Sequence, residues 1–259
     1  MDAAYTLSGF SVGIVVGLTG IGAGSLLTPF LTLGMGLPAP AAVGLSVANA
    51  FASKAGGAWA HAQQGHVDWR IVRLLAAGSL PAATVALLFL KILSDDPAAL
   101  VAFTRACLGF ALVLTALLAI SGRRLLAWTA TFTGRGKAGR SRLDASGTVA
   151  AGALVGVLVT ITSVGAGTLG AAALVLLHPR LPAARVVGTD IAHAVPLAFF
   201  AGAGHVWLGH VDFTLLGSLL AGSLPGILIG ARLARFVPES ILRPALALML
   251  CVVGGRLVF

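Results

Sequence analysis

The stretch Leu18-Thr19-Gly20-Ile21-Gly22-Ala23-Gly24-Ser25-Leu26-Leu27-Thr28-Pro29 decides how the rest of the chain is read. It interrupts an apolar segment with alternating glycines. A second version, Ile161-Thr162-Ser163-Val164-Gly165-Ala166-Gly167-Thr168-Leu169, interrupts a later one. A single run of this kind in a water-soluble chain is weak information. Two of them inside hydrocarbon-length segments are a constraint, because broken backbone at that depth has to be satisfied by protein or by a wet cavity.

The surrounding composition places these segments in lipid. Of the 259 residues, 58% are hydrophobic and only 10% charged, and the mean hydropathy is +1.01. A soluble domain carries roughly a quarter charged residues. Windows such as Leu74–Leu90 and Leu108–Ile120 hold no charge at all, and they lack the alternation that a membrane barrel needs. The chain is therefore read as an all-α polytopic membrane protein. Its net charge of +9 sits at segment ends, as the positive-inside rule requires; this excludes nucleic acid as a partner and leaves the bilayer. Cys107 and Cys251 lie inside apolar segments as packing residues, with no disulfide framework, metal cluster or cofactor motif. The N-terminus has no basic n-region, so the first apolar stretch is expected to stay in the mature protein.

The chain repeats itself. Leu37-Pro38 returns as Leu181-Pro182, Gly65-His66-Val67-Asp68 as Gly209-His210-Val211-Asp212, and Gly78-Ser79-Leu80-Pro81 as Gly222-Ser223-Leu224-Pro225. One constant spacing relates all of these pairs, and the glycine runs align one residue short of it. The expected organisation is a first repeat over 1–121, a basic cytoplasmic linker over 122–145 and a second repeat over 146–259. Asp68 and Asp212 sit where a helix N-cap would.

Each repeat opens with an apolar segment of about 30 residues, too long for one simple span and too short for two. It is either one long broken helix or two half-helices that dip in and return. Charge placement favours the second. Arg70, Arg73 and the basic linker mark even-numbered segment ends in the first half, whereas Arg180, Arg185, Arg232, Arg235 and Arg243 mark odd-numbered ends in the second. Switched parity means inverted halves, and inversion needs an odd number of crossings. The expectation is two inverted repeats, each with a broken re-entrant first segment followed by three transmembrane helices.

A half-helix that starts in the membrane offers unpaired N–H groups and a partial positive charge, both suited to an anion. Gly22, Ala23, Gly24 and Ser25 from one break and Gly165, Ala166, Gly167 and Thr168 from the other are the expected binding elements, brought together by inversion. The alternative is that these glycines only permit close helix packing, which is the reading given to Gly44, Gly56 and Gly57. A dinucleotide reading of Gly20–Gly24 fails, since no acidic residue follows at ribose distance.

Polar groups inside the second segment of each half complete the candidate site. Ser46, Asn49 and Thr189 are candidate donors to the anion. Asp190 and His193 are candidates for a coupled proton, with Lys54 attracting the anion or pairing with Asp190. Ser46 aligns with Asp190 and Asn49 with His193. The alternative for each is a satisfied interhelical hydrogen bond, or snorkelling for Lys54. His61, His66, His205 and His210 read as interfacial residues by the turns, and Trp59, Trp69, Trp128 and Trp207 as interface anchors.

In Leu18–Pro29, the Gly65–Asp68 turn and the duplicated Gly78–Pro81 stretch, the sequence resembles the TauE/SafE sulfite exporters, also described as the four-toluene-sulfonate uptake permease family. The resemblance spans nearly the whole chain. It implies a secondary transporter moving small sulfur-containing oxyanions such as sulfite or organosulfonates across a bacterial inner membrane. The family's first motif usually has three consecutive glycines where this chain has Gly22-Ala23-Gly24. A passive anion channel of the same architecture is the second reading. An intramembrane enzyme is the third, and no nucleophile–base or metal constellation supports it.

Overall fold

The computed structural model describes the chain apart from Met1, Ile21, 133–139, 237–238 and Phe259, and the side chains of 119–144, 235, 239–243 and 258 likewise lie outside the described residues. The described residues are helical almost throughout. In order they form α1 (Ala3–Thr19), α2 (Gly24–Pro29), a π-turn (Phe30–Gly34), α3 (Ala39–Gln63), α4 (Trp69–Leu93), α5 (Pro97–Phe132), α6 (Arg140–Thr162), α7 (Thr168–Leu177), α8 (Ala183–Trp207), α9 (Phe213–Leu233), a short 3-10 turn (Ala234–Phe236) and α10 (Glu239–Val258). Among the described residues, five stretches are long and apolar enough to cross a membrane: 69–93, 97–118, 145–162, 183–207 and 213–233. The all-helical membrane class is as the sequence predicts.

Four helix starts follow from short acidic caps. Asp68 Oδ1 accepts from the N–H groups of Arg70 and Ile71, and Asp212 Oδ1 does the same for Thr214 and Leu215. Asp2 and Asp96 cap α1 and α5 in the same manner. Such a carboxylate satisfies donors that the first turn leaves open and sits at the positive end of the helix dipole.

The helices pair across the two repeats. Glycines Gly9, Gly13 and Gly17 of α1 press onto the backbone of Leu219, Ser223 and Ile227 of α9, in rising order on both helices, so the pair is parallel. Gly222, Gly226 and Gly230 of α9 return the contact to Thr6, Phe10 and Ile14. The Asp2 N–H also donates to Ser218 Oγ at 3.0 Å. α6 lies along α4 by the same device, with Gly152 on Leu75, Gly156 on Ser79 and Gly78 on Val149. α3 and α8 pair antiparallel, Gly44 meeting His205 and Gly202 meeting Ala48. α5 and α10 also run antiparallel: Gly254 faces Gly109, and Arg105 Nη2 donates to Arg256 O. Small residues matter here because helices gain little from hydrophobicity inside lipid and hold together by close packing.

One expectation needs correction. Gly56 and Gly57 do not serve close packing: nothing lies within 4 Å of a methyl built on Gly56, and only Ile191 approaches Gly57. Large side chains space α3 and α8 in that region, with the Phe51 and Phe199 rings 5.3 Å apart. Helix also extends into both ends of the expected linker, through Phe132 and from Arg140; the solvated character expected of 122–145, like the anchor role of Trp128, lies outside the described side chains. Trp59, Trp69 and Trp207 are exposed, as interface anchors are.

Substituting leucine at Gly13 forces α1 off the Ser223 backbone, and its cost should exceed about 3 kcal/mol, read as loss of monodisperse folded protein in detergent. Gly217→Ala, on a face of α9 where nothing lies within 4 Å, should leave the thermal midpoint unchanged or slightly raised.

Candidate functional site

Both glycine runs end one helix and start another. α1 closes at Gly20, whose backbone is left-handed (φ +66) and whose N–H donates to Val16 O at 2.8 Å. The chain turns through Gly22 (φ +99) and restarts as α2 at Gly24. In the other repeat α6 closes at Ser163, also left-handed (φ +61), with its N–H on Val159 O at 2.8 Å. Gly165 (φ +116) and Gly167 (φ +124) then lead into α7. A side chain at these φ values is strained, which is why the motif needs glycine at Gly22, Gly165 and Gly167.

The two breaks abut. A methyl on Gly22 would stand 3.1 Å from Ala166 O, and one on Gly24 would fall on Ser163 O. Lys54 of α3 reaches the same seam: its Nζ donates to Ala166 O at 2.8 Å and lies next to Gly22. An ammonium has three donors, and among the described residues this one makes no ion pair. Its electrostatic counterpart is Asp190 of α8. That carboxylate is buried against Gly170, in the first turn of α7, where a helix N-terminus favours negative charge.

The polar residues of α3 and α8 take matched positions. Ser223 Oγ of α9 donates to Asn49 Oδ1 at 2.6 Å, and Ser79 Oγ of α4 is 2.8 Å from His193 Nε2. These pairs occupy equivalent places in the two repeats. The Ser79–His193 contact therefore has the same origin as Ser223–Asn49, a buried interhelical hydrogen bond, and does not by itself mark a nucleophile. Ser46 Oγ and Asn49 Nδ2 are fully buried and have no partner among the described residues. Buried donors without partners are uncommon and call for an explanation such as a ligand.

Not every expected residue meets the seam. Thr189 is buried toward the α3–α4 turn, where its Oγ1 accepts from the Asp68 N–H at 3.0 Å. Ser25 is buried beside the seam, and its hydroxyl donates to Gly22 O at 3.0 Å. Thr168 opens α7 and Ala23 precedes α2, both at the breaks. Sequence reasoning did not single out Ser79, Ser223 or Ser163, which lie at these contacts. The repeat held the signal for the first two, since they recur at the same spacing that relates Asn49 to His193.

The histidines by the turns differ from expectation in one case. His205 is 1% exposed. Its Nε2 is 2.8 Å from Thr160 O and its Nδ1 is 3.1 Å from His210 Nδ1. It is an interior link between α8 and α6, because the turn after α8 folds back over Gly44 and covers it. No group of three or more metal-ligating side chains occurs among the described residues.

The sequence model of the family described as sulfite exporter TauE/SafE matches residues 5–257. Among curated proteins, the chain is 34% identical over its full length to the full length of the probable membrane transporter protein YjnA of Bacillus subtilis (strain 168). It is 28% identical to the probable membrane transporter protein YdhB of the same organism, covering 96% of this chain and 97% of that protein. No solved structure matches.

Burial lowers the His210 imidazole below its ordinary range, so the unfolded chain takes up a proton before the folded one does. Its contribution to stability is present above about pH 6.5 and is lost as pH falls below that. The thermal midpoint in detergent should drop between pH 7.5 and pH 5.5, and His210→Gln should make that drop smaller.

Proposed function

The chain belongs to the sulfite exporter TauE/SafE family and is a multi-pass membrane transporter, and on that premise we propose that it moves a small sulfur-containing oxyanion through the seam between its two helix breaks. The observation that carries this reading is the Lys54 ammonium. It sits where the breaks meet, with one acceptor for three donors and with Ser46 Oγ and Asn49 Nδ2 unpartnered on the same helix. Strong oxyanion sites combine a cation with fixed N–H and O–H donors, and the two breaks add helix ends of the favourable polarity.

The halves are inverted in this proposal. Helix direction supports it, since the equivalent helices α3 and α8 run antiparallel, as do α5 and α10. α1 runs parallel to α9. Through the short α8–α9 turn, that sets α1 in the same direction as α3. Two successive helices with one direction require the segment between them, 20–38, to return to the starting side. This supports a re-entrant break followed by three crossings. Alternating access then follows as one set of helices rocking against the other about a fixed midplane site.

Charge balance suggests the coupling. Lys54 and Asp190 offset one another's charge. A monoanion that takes over Lys54 leaves the Asp190 carboxylate buried without its counter-charge, a state that a proton on the carboxylate relieves. One anion and one proton then move together, and the bound site stays neutral overall. His193, hydrogen-bonded to Ser79, is the neighbouring group able to pass that proton. The setting is the plasma membrane of a bacterium.

Binding of sulfite and methanesulfonate to purified protein tests the site. Lys54→Gln should weaken both by about tenfold or more, the value of a charged hydrogen bond. Asp190→Asn should flatten the pH dependence of binding and abolish anion-driven proton movement in liposomes. Anion flux in the wild type without any proton movement would instead favour a passive channel.

A further inference from the structure

Ser163 and Gly20 hold equivalent positions, each closing the helix that enters a break, each in the left-handed region, and each with its N–H on the carbonyl four residues back. Glycine takes that conformation freely. Serine does not, because its Cβ crowds the neighbouring carbonyl. One repeat has therefore solved the turn without strain and the other has kept a strained residue at the same point. Strain of this kind persists where something else compensates for it.

Among the described residues no hydrogen bond to its side chain supplies that compensation. The Ser163 side chain is only 6% exposed, and its Oγ has no hydrogen-bond partner among the described residues. Two hydroxyls at the breaks behave differently, although Thr160 Oγ1 and Ser46 Oγ are likewise without a partner among the described residues. Thr162 Oγ1 donates to Leu158 O and accepts from the Val164 N–H, and Ser25 Oγ donates to Gly22 O. Ser163 Oγ instead faces the opposite break, where a methyl on Gly24 would stand 2.6 Å from it. Three residues further on, Ala166 O receives the Lys54 ammonium. A buried hydroxyl, strained into place and left unspent, thus shares a seam with a cation that has donors to spare.

We propose that Ser163 is a substrate-contacting residue, whose hydroxyl donates a hydrogen bond to one oxygen of the bound oxyanion while Lys54 neutralises its charge. The proposal rests on the oxyanion reading above and adds to it a residue and a selectivity. Two donors from different elements suit an anion that carries several oxygens on one centre, as sulfite and sulfonates do, and such an anion can give each donor its own acceptor where chloride must share one.

The strain makes the test clean, because Ser163→Gly removes the hydroxyl and the strain together. Sulfite and methanesulfonate are titrated calorimetrically into the wild type, Ser163→Gly and Ser163→Ala, with chloride as the competing ion and thermal midpoints measured alongside. Ser163→Gly should raise the midpoint yet weaken both oxyanions about tenfold and reduce the preference over chloride. Ser163→Ala keeps the strained backbone, so it should weaken binding equally with a midpoint below that of the glycine variant. A more stable Ser163→Gly that binds as the wild type does overturns the proposal, and Ser163→Ala binding as the wild type does so as well if the glycine variant fails to fold. A wild type that binds neither oxyanion overturns the oxyanion reading itself, and this inference with it.

Discussion

Backbone polarity inside hydrocarbon is the constraint from which the rest of this structure follows. A helix that stops within the membrane leaves carbonyls at one end and amides at the other, and lipid satisfies neither. This chain stops two helices and sets the broken ends against each other. Gly24 packs on Ser163, Gly22 approaches Ala166, and the Ala166 carbonyl receives the Lys54 ammonium. Each break is shelter for the other. Neither run of glycines is a tolerable sequence in isolation, which is a physical reason for the motif to occur twice.

Holding the ends in place falls to helix pairs that cross between the repeats. α1 and α6, the helices entering the breaks, are each clamped by backbone contact to the third long helix of the opposite repeat. That explains the high glycine content better than flexibility does. Gly9, Gly13, Gly78, Gly152 and Gly222 sit in regular helix, where glycine lowers stability, and they are kept because another helix backbone occupies the place of a side chain. The hydrogen-bonded pairs Ser223–Asn49 and Ser79–His193 then fix α3 and α8 against the same two helices.

Much of this was legible in the residues themselves. The helical class, the caps at Asp68 and Asp212, and the two breaks follow from composition, short-range chemistry and the repeat. The breaks' mutual contact followed from asking what else could satisfy them. Packing was less legible. Gly44 and Gly57 look alike in sequence, yet one is pressed closely against neighbouring elements and the other is met only by Ile191 at ordinary contact distance, with the Phe51 and Phe199 rings packed between α3 and α8. Burial of His205 was hidden for a similar reason: a turn residue is covered only if the chain after it folds back. The role of Ser163 depends on its φ, which no pattern of residue types reveals.

Cross-pairing of the repeats also bears on how the molecule is made. The Asp2 N–H finds its acceptor on Ser218, 216 residues further along the chain. During synthesis α1 therefore enters the bilayer before the helix its glycine stripe packs on, and that mate leaves the ribosome only after α2 to α8. Until then no complete unit exists for it to join, so the first half has no native core to settle into. Assembly of this pair must wait for α9, and a chain truncated before α9 lacks the partner that α1 is shaped to meet.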